Sequence, residues 1–266
     1  MRACKLIGLA FFLMIGVSCI IPFVYYPGGG DWTPRVQTFH KVLSLNPGGT
    51  ISLDNVNGDI DIRGWDREEV EITAEENRGD YYGRRGWYFT GMGGIKPQVE
   101  VDQFDQFIKI RARASKDEEN TRPIHFRISV PHSVNLKDIL IKNGTVFIAD
   151  IYGKARIESD EGDITVENFS GSLDLSLVRG SVDAEVLDLR KDDEVRITTK
   201  EGDITLHLQP NANIRLEASA ANGGISGDFD LGQKLPAQKV SAQVGTAEAA
   251  ASLMTLNGDI RLKKVR

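Results

Sequence analysis

Cysteine is nearly absent from this chain. Its 266 residues hold two, Cys4 and Cys19, and from Pro27 onward there is none, so disulfides, zinc–thiolate centres and cysteine nucleophiles are excluded from the body of the protein. Histidine is scarce too. His40, His125, His132 and His207 fall at no metal-ligand spacing, no His-Glu-x-x-His occurs, and none accompanies a serine in a Gly-x-Ser-x-Gly turn. A basic excess is also missing: 32 Lys and Arg stand against 38 Asp and Glu, a net charge of −6. No overall field holds a polyanion, and nucleic acid is not an expected partner. Beyond residue 26 no segment shows the 3.6-residue apolar period of an amphipathic helix. With 41% hydrophobic and 26% charged residues the chain nonetheless carries enough apolar material to bury a core, which excludes wholesale disorder.

The first 26 residues form an export segment. Arg2 and Lys5 make a positive start, and the 21 residues from Leu6 to Tyr26 are uncharged. Inside that run Ile15-Gly16-Val17-Ser18-Cys19 resembles a bacterial lipobox, with Gly16 where that box has leucine. Cleavage before Cys19 would free it for lipidation and membrane anchoring. The same run is long enough to span a bilayer uncleaved, and ordinary secretion is a third reading. All three place the rest of the chain outside the cytoplasm. The expected organisation is an anchor over 1–26, a linker over 27–40, and one domain over 41–266 carrying an inserted segment at 76–98.

Glycine is abundant, 27 in all, and its spacing predicts the fold. Gly144, Gly153, Gly162, Gly171 and Gly180 recur every nine residues. Two residues after each come Val146, Ala155, Ile164, Leu173 and Val182. Four after come Ile148, Ile157, Val166, Leu175 and Ala184. The seventh position is apolar in four of five: Ile151, Phe169, Val178 and Leu187, with Asp160 the exception. Intervening residues such as Lys154, Arg156, Glu158, Asp163, Thr165, Glu167, Asp174 and Asp183 are mostly polar, so each unit alternates with period two and restarts at a turn. Gly49, Gly58, Gly202 and Gly258 open similar units, and four turns read Gly-Asp-Ile, at 58–60, 162–164, 202–204 and 258–260. Strands are also expected over 70–74, 107–112, 124–130, 195–197 and 214–218. The predicted fold is all-β, a parallel β-solenoid of nine-residue strand-turn units stacked in series.

On these residues the chain resembles the bacterial "putative adhesin" family of secreted or envelope-anchored β-solenoid proteins, a domain of unknown function. The resemblance rests on Asn55-Val56-Asn57-Gly58-Asp59-Ile60 with Arg63-Gly64-Trp65-Asp66 and Val70-Glu71-Ile72. It continues in Ile128-Ser129-Val130-Pro131 before the glycine repeats and ends on 255–262, Thr-Leu-Asn-Gly-Asp-Ile-Arg-Leu. It covers roughly 41–266. It implies a right-handed parallel β-helix-like fold, a cell-envelope location and no established activity or cofactor.

The Gly-Asp-Ile aspartates compare with the calcium corners of nonapeptide β-rolls, but each corner has a single Asp and no doubled glycine pattern, and a turn-capping role is expected instead. His125 and His207 alternate with apolar neighbours and should face outward. Outward Asp163, Glu167, Asp183 and Glu185 could form an acid–base set only if they converged. Residues 76–98 differ from everything around them: Tyr81, Tyr82, Trp87, Tyr88 and Phe89 gather with Arg84 and Arg85 on a glycine-rich background. Such aromatic faces and guanidinium forks suit capture of a glycan or protein partner; the competing reading is that they cover an end of the solenoid. Arg78-Gly79-Asp80 spells an integrin tripeptide of a length that arises by chance. The sequence therefore reads as a non-enzymatic, envelope-anchored interaction module with an unidentified envelope component, glycan or protein, as partner. A polysaccharide-acting β-helix enzyme and an envelope-stress signalling or scaffold module are the alternatives.

Overall fold

The computed structural model describes residues 37–76, 98–112, 123–232 and 235–265. Among these every regular element is a strand, and no helix is long and apolar enough to cross a membrane. The strands are β1 (Gln37–Ser44), β2 (Thr50–Asn57), β3 (Ile60–Trp65), β4 (Glu69–Glu76), β5 (Val99–Phe104), β6 (Phe107–Ala112), β7 (Ile124–Pro131), β8 (Asn135–Asn143), β9 (Val146–Ala149) and β10 (Tyr152–Glu161). They continue with β11 (Ile164–Arg179), β12 (Val182–Asp188), β13 (Glu194–Glu201), β14 (Ile204–Leu208), β15 (Ile214–Asn222), β16 (Ile225–Gly227), β17 (Lys239–Val244), β18 (Ala249–Asn257) and β19 (Ile260–Lys264).

Their pairing falls into two series. The first runs β5–β6–β2–β8–β10–β11–β13–β18–β15–β17. The second runs β1–β4–β7–β3–β9–β11–β12–β14–β19–β16. The sixteen-residue β11 bends round a corner and belongs to both, which makes the sheet continuous. Most ladders are parallel, but β5–β6, β15–β17, β1–β4 and β4–β7 are antiparallel. The expectation of a wholly parallel stack is thereby corrected. Both ends of the array finish in hairpin-like pairings, where the chain must reverse to close an otherwise open edge.

The nine-residue unit is half of a repeat. Ile164 pairs with Val146 and Val182, and Leu173 with Ala155, so the stacked neighbour lies eighteen residues away. Successive glycines therefore alternate between two corners. Gly58, Gly144, Gly162, Gly180, Gly202 and Gly258 share one; Gly153 and Gly171 share the other. This explains why the seventh position is not uniformly apolar. Ile151 and Phe169, before the second corner, are buried, whereas Asp160 and Val178 are not, because before the first corner the inward residue comes one place earlier, at Ser159 and Leu177.

At the first corner the glycines touch. A Cβ built on Gly144 would run into the carbonyl of Gly58, and the same holds for Gly162 on Gly144, Gly180 on Gly162, Gly202 on Gly180 and Gly258 on Gly202. Close backbone approach keeps the ladder unbroken round the bend. The Gly162 amide donates to Arg179 O at 3.0 Å and the Ile164 amide to Ser181 O at 3.0 Å, a pattern repeated up the stack. The corner thus satisfies its own backbone groups.

The inward side chains of both series form one apolar cluster from Leu45 to Leu262. Few polar groups enter it, and half of the buried ones are spent on the corner: Asn55 donates to Gly58 O, Thr199 to Gly180 O and Thr255 to Gly202 O. The ends are closed by tethers and apolar plugs. Lys41 on β1 donates to Val101 O on β5, and Gln103 on β5 to Ser44 O, while Phe229 and Leu231 are buried at the other end.

Candidate functional site

A cleft of about 620 Å³ crosses the outer face of the first series from β2 to β13. Two adjacent rows of outward side chains line it. Thr50, Asn135, Lys154, Ser172 and Glu194 lie in register on successive strands, and Arg156, Asp174 and Arg196 form the next row. A β-bulge shapes one end. Leu136 and Ile139 on β8 oppose Ala155 and Ile157, so β8 holds one extra residue, and Asp138 takes a φ of 55°. Such a bulge redirects side chains, and here it delivers Lys137 to the cleft.

Several cleft groups are held in place. Asn135 donates to Gly48 O and accepts from the Lys154 amide at 3.1 Å. Ser172 donates to Asp193 at 2.9 Å, Arg196 pairs with Glu194 at 2.5 Å, and Arg156 with Glu158 at 2.7 Å. By contrast the side chains of Lys137, Lys154, Asp174 and Asp192 make no hydrogen bond or ion pair among the described residues. Two residues before Lys154 on the same strand face, Tyr152 is 48% exposed and stacks on His132 at 5.3 Å. His132 Nδ1 donates to Asp150 O at 2.7 Å, which fixes its tautomer because a carbonyl only accepts.

The outer face of the second series carries paired charges instead. Asp59 accepts from the Thr145 amide and hydroxyl at 2.9 and 2.8 Å and faces His125 at 3.0 Å. Partial burial works to raise its carboxyl, but the Thr145 hydrogen bonds and the neighbouring His125 outweigh that and hold it below the usual carboxylate range. Asp163 accepts from the Ser181 amide, Asp203 from the Asp259 amide, and Asp259 from the Gly224 amide. The Gly-Asp-Ile aspartates therefore cross-link successive corners rather than point freely to solvent. Every histidine sits beside a carboxylate: His40 by Glu71, His125 by Asp59, His132 by Asp66 and His207 by Asp183. Among the described residues no three His, Cys or carboxylate side chains are placed to share a metal ion.

Asp203 provides an acid-stability test. The Asp259 amide and then the Arg261 guanidinium, at 2.8 Å, hold its carboxyl below the ordinary value against a smaller desolvation effect. A depressed folded pKa means the stabilisation is complete above the unfolded value of about 3.9 and is lost as pH falls through the lower folded value. Asp203→Asn should therefore lower the melting temperature at neutral pH and flatten its fall below about pH 4. Thermal melts across that range check this; an acid limb as steep as the wild type's would contradict it.

Cys19 and the cluster Tyr81, Tyr82, Arg84, Arg85, Trp87, Tyr88 and Phe89 lie outside the described residues. The cleft was not anticipated, since it takes one to three residues from each of five strands. One signal was present: the two polar residues between Leu136 and Ile139 break the alternation and mark the bulge.

Comparison with known proteins adds the family. The chain is similar to a crystal structure of a "putative cell adhesion protein" from Clostridium sporogenes, with a TM-score of 0.52 and 13% identity over 86% of this chain and 100% of that one. It also aligns with a "putative adhesin" from Bacteroides fragilis, at a TM-score of 0.36 and 13% identity over 86% and 97% of the two chains. A "putative lipid binding protein" from Parabacteroides distasonis aligns at a TM-score of 0.25 and 10% identity over 88% and 98%. None of the curated proteins compared matches the chain. Residues 133–263, from the bridge before β8 into β19, match the family model of the Toastrack DUF4097 domain, a domain of unknown function.

Proposed function

We propose that this protein is an exported, envelope-held β-solenoid that binds an envelope component without transforming it. The observation that carries the reading is the cleft across five stacked strands, whose unspent polar groups of both signs suit adhesion. The adhesin names of the similar structures agree with a surface or envelope role. Lipidation of Cys19 supplies the anchor, and the aromatic and arginine cluster of Tyr81–Phe89 supplies a second contact, joined to the fold at Glu76 on β4 and Val99 on β5.

Sedimentation of the full chain with isolated envelope fractions tests the reading. The protein should pellet with them. Replacing Arg85, Trp87 and Tyr88 with Ala should reduce that retention about tenfold, the loss of a typical hot spot, with circular dichroism and melting temperature unchanged. A chain that stays in the supernatant overturns the binding role, and a triple variant that melts early assigns these side chains to the fold.

A further inference from the structure

The chemistry of the cleft narrows the ligand class, on the reading of the protein as an envelope binder. Lys137 and Lys154 bring into one groove donors, and Asp174 and Asp192 acceptors, that no hydrogen bond or ion pair among the described residues engages, with Asp174 in register between Arg156 and Arg196. An anionic polymer would meet the two carboxylates, and a cationic one the two ammonium groups; either arrangement leaves like charges opposed. A hydroxyl both donates and accepts, so a chain of hydroxyls satisfies both sets at once. The groove runs across the strands, and its polar groups repeat at the strand spacing of about 4.8 Å, a step close to the length of one sugar ring. Tyr152, half-exposed and braced by His132, adds an aromatic face beside Lys154 on the same strand. Asn135, Ser172 and Arg196, tied by their own hydrogen bonds, keep the groove in shape.

We propose that the cleft between β2 and β13 binds an uncharged, extended glycan lying across the stacked strands, with its hydroxyls on Lys154 and Asp174 and one ring against Tyr152.

Calorimetric titration of the full chain with hexa-N-acetylchitohexaose, cellohexaose and a galacturonate hexamer tests this. One of the two uncharged oligosaccharides should bind with little dependence on salt. Lys154→Ala, Asp174→Ala and Tyr152→Ala should each weaken it about tenfold, while Lys263→Ala, on the opposite outer face, should leave it unchanged. Binding of the galacturonate hexamer alone, abolished by salt, would make the cleft an anion site and overturn the proposal. Failure of both uncharged probes, or binding indifferent to the three cleft variants, would also overturn it. If the chain still pellets with envelope fractions in those cases, the envelope role stands and only the cleft assignment falls.

Discussion

Gly180→Ala should cost about 3 kcal/mol or more, the sum of a strained backbone and a steric collision, and should melt the protein well below the wild type. Gly180 has a φ of 138°, which an L side chain rarely adopts, and its added methyl would strike the carbonyl of Gly162. Relief would require the coils to part at a corner where the Gly180 amide donates to Glu201 O and the Val182 amide to Asp203 O. Gly48 provides the control. It too has a positive φ, 84°, but nothing lies within 4 Å of the position its Cβ would take. Gly48→Ala should then cost only the conformational part, about 1 kcal/mol. Chemical denaturation of both variants separates the two contributions. Equal losses would mean that close stacking of the glycine carbonyls does not govern the corner.

That corner also shows what could be read from the chain and what could not. Period-two alternation predicted the inward residues well, since a strand's faces follow from side-chain direction alone: Val146, Ala155, Ile164, Leu173 and Val182 are all buried. The glycine period marked the turns but merged two different corners, because nine residues make half a coil. Telling them apart needs the pairing partner, eighteen residues away, which a local pattern does not contain. Strand order was hidden for the same reason. β2 and β3 insert between β6 and β7 on one side and β8 and β9 on the other. At the other end β18 and β19 insert between β13 and β14 on one side and β15 and β16 on the other. Both inserted pairs carry Asn-Gly-Asp-Ile, at 57–60 and 257–260, so a visible motif marks a topological event whose nature only the pairing discloses. The cleft was less legible still. Each of its residues, taken singly, looks like a solvated outward side chain, and only stacking puts Thr50 and Arg196 on one groove.

Leu173→Asp should unfold the middle of the array, with a loss of at least about 4 kcal/mol, because it removes a buried aliphatic side chain and leaves an unpaired charge in its place. Leu173 is fully buried on β11, in register between Ala155 on β10 and Val195 on β13. Since each coil contacts chiefly its neighbours, the damage should begin in β10, β11 and β13 and spread, as nearest-neighbour coupling in stacked repeats requires. Hydrogen exchange should show this as early loss of protection at Ile157, Leu175 and Ile197, which fill the adjacent inward row. Asp174→Ala, one residue along, faces the cleft and should change stability by no more than about 0.5 kcal/mol. The pair thus divides fold from binding: one substitution should cost stability and the other only ligand. Equal shifts in denaturation midpoint would show that the alternation assigns these two side chains to the wrong faces, and the cleft built on it would go with the assignment.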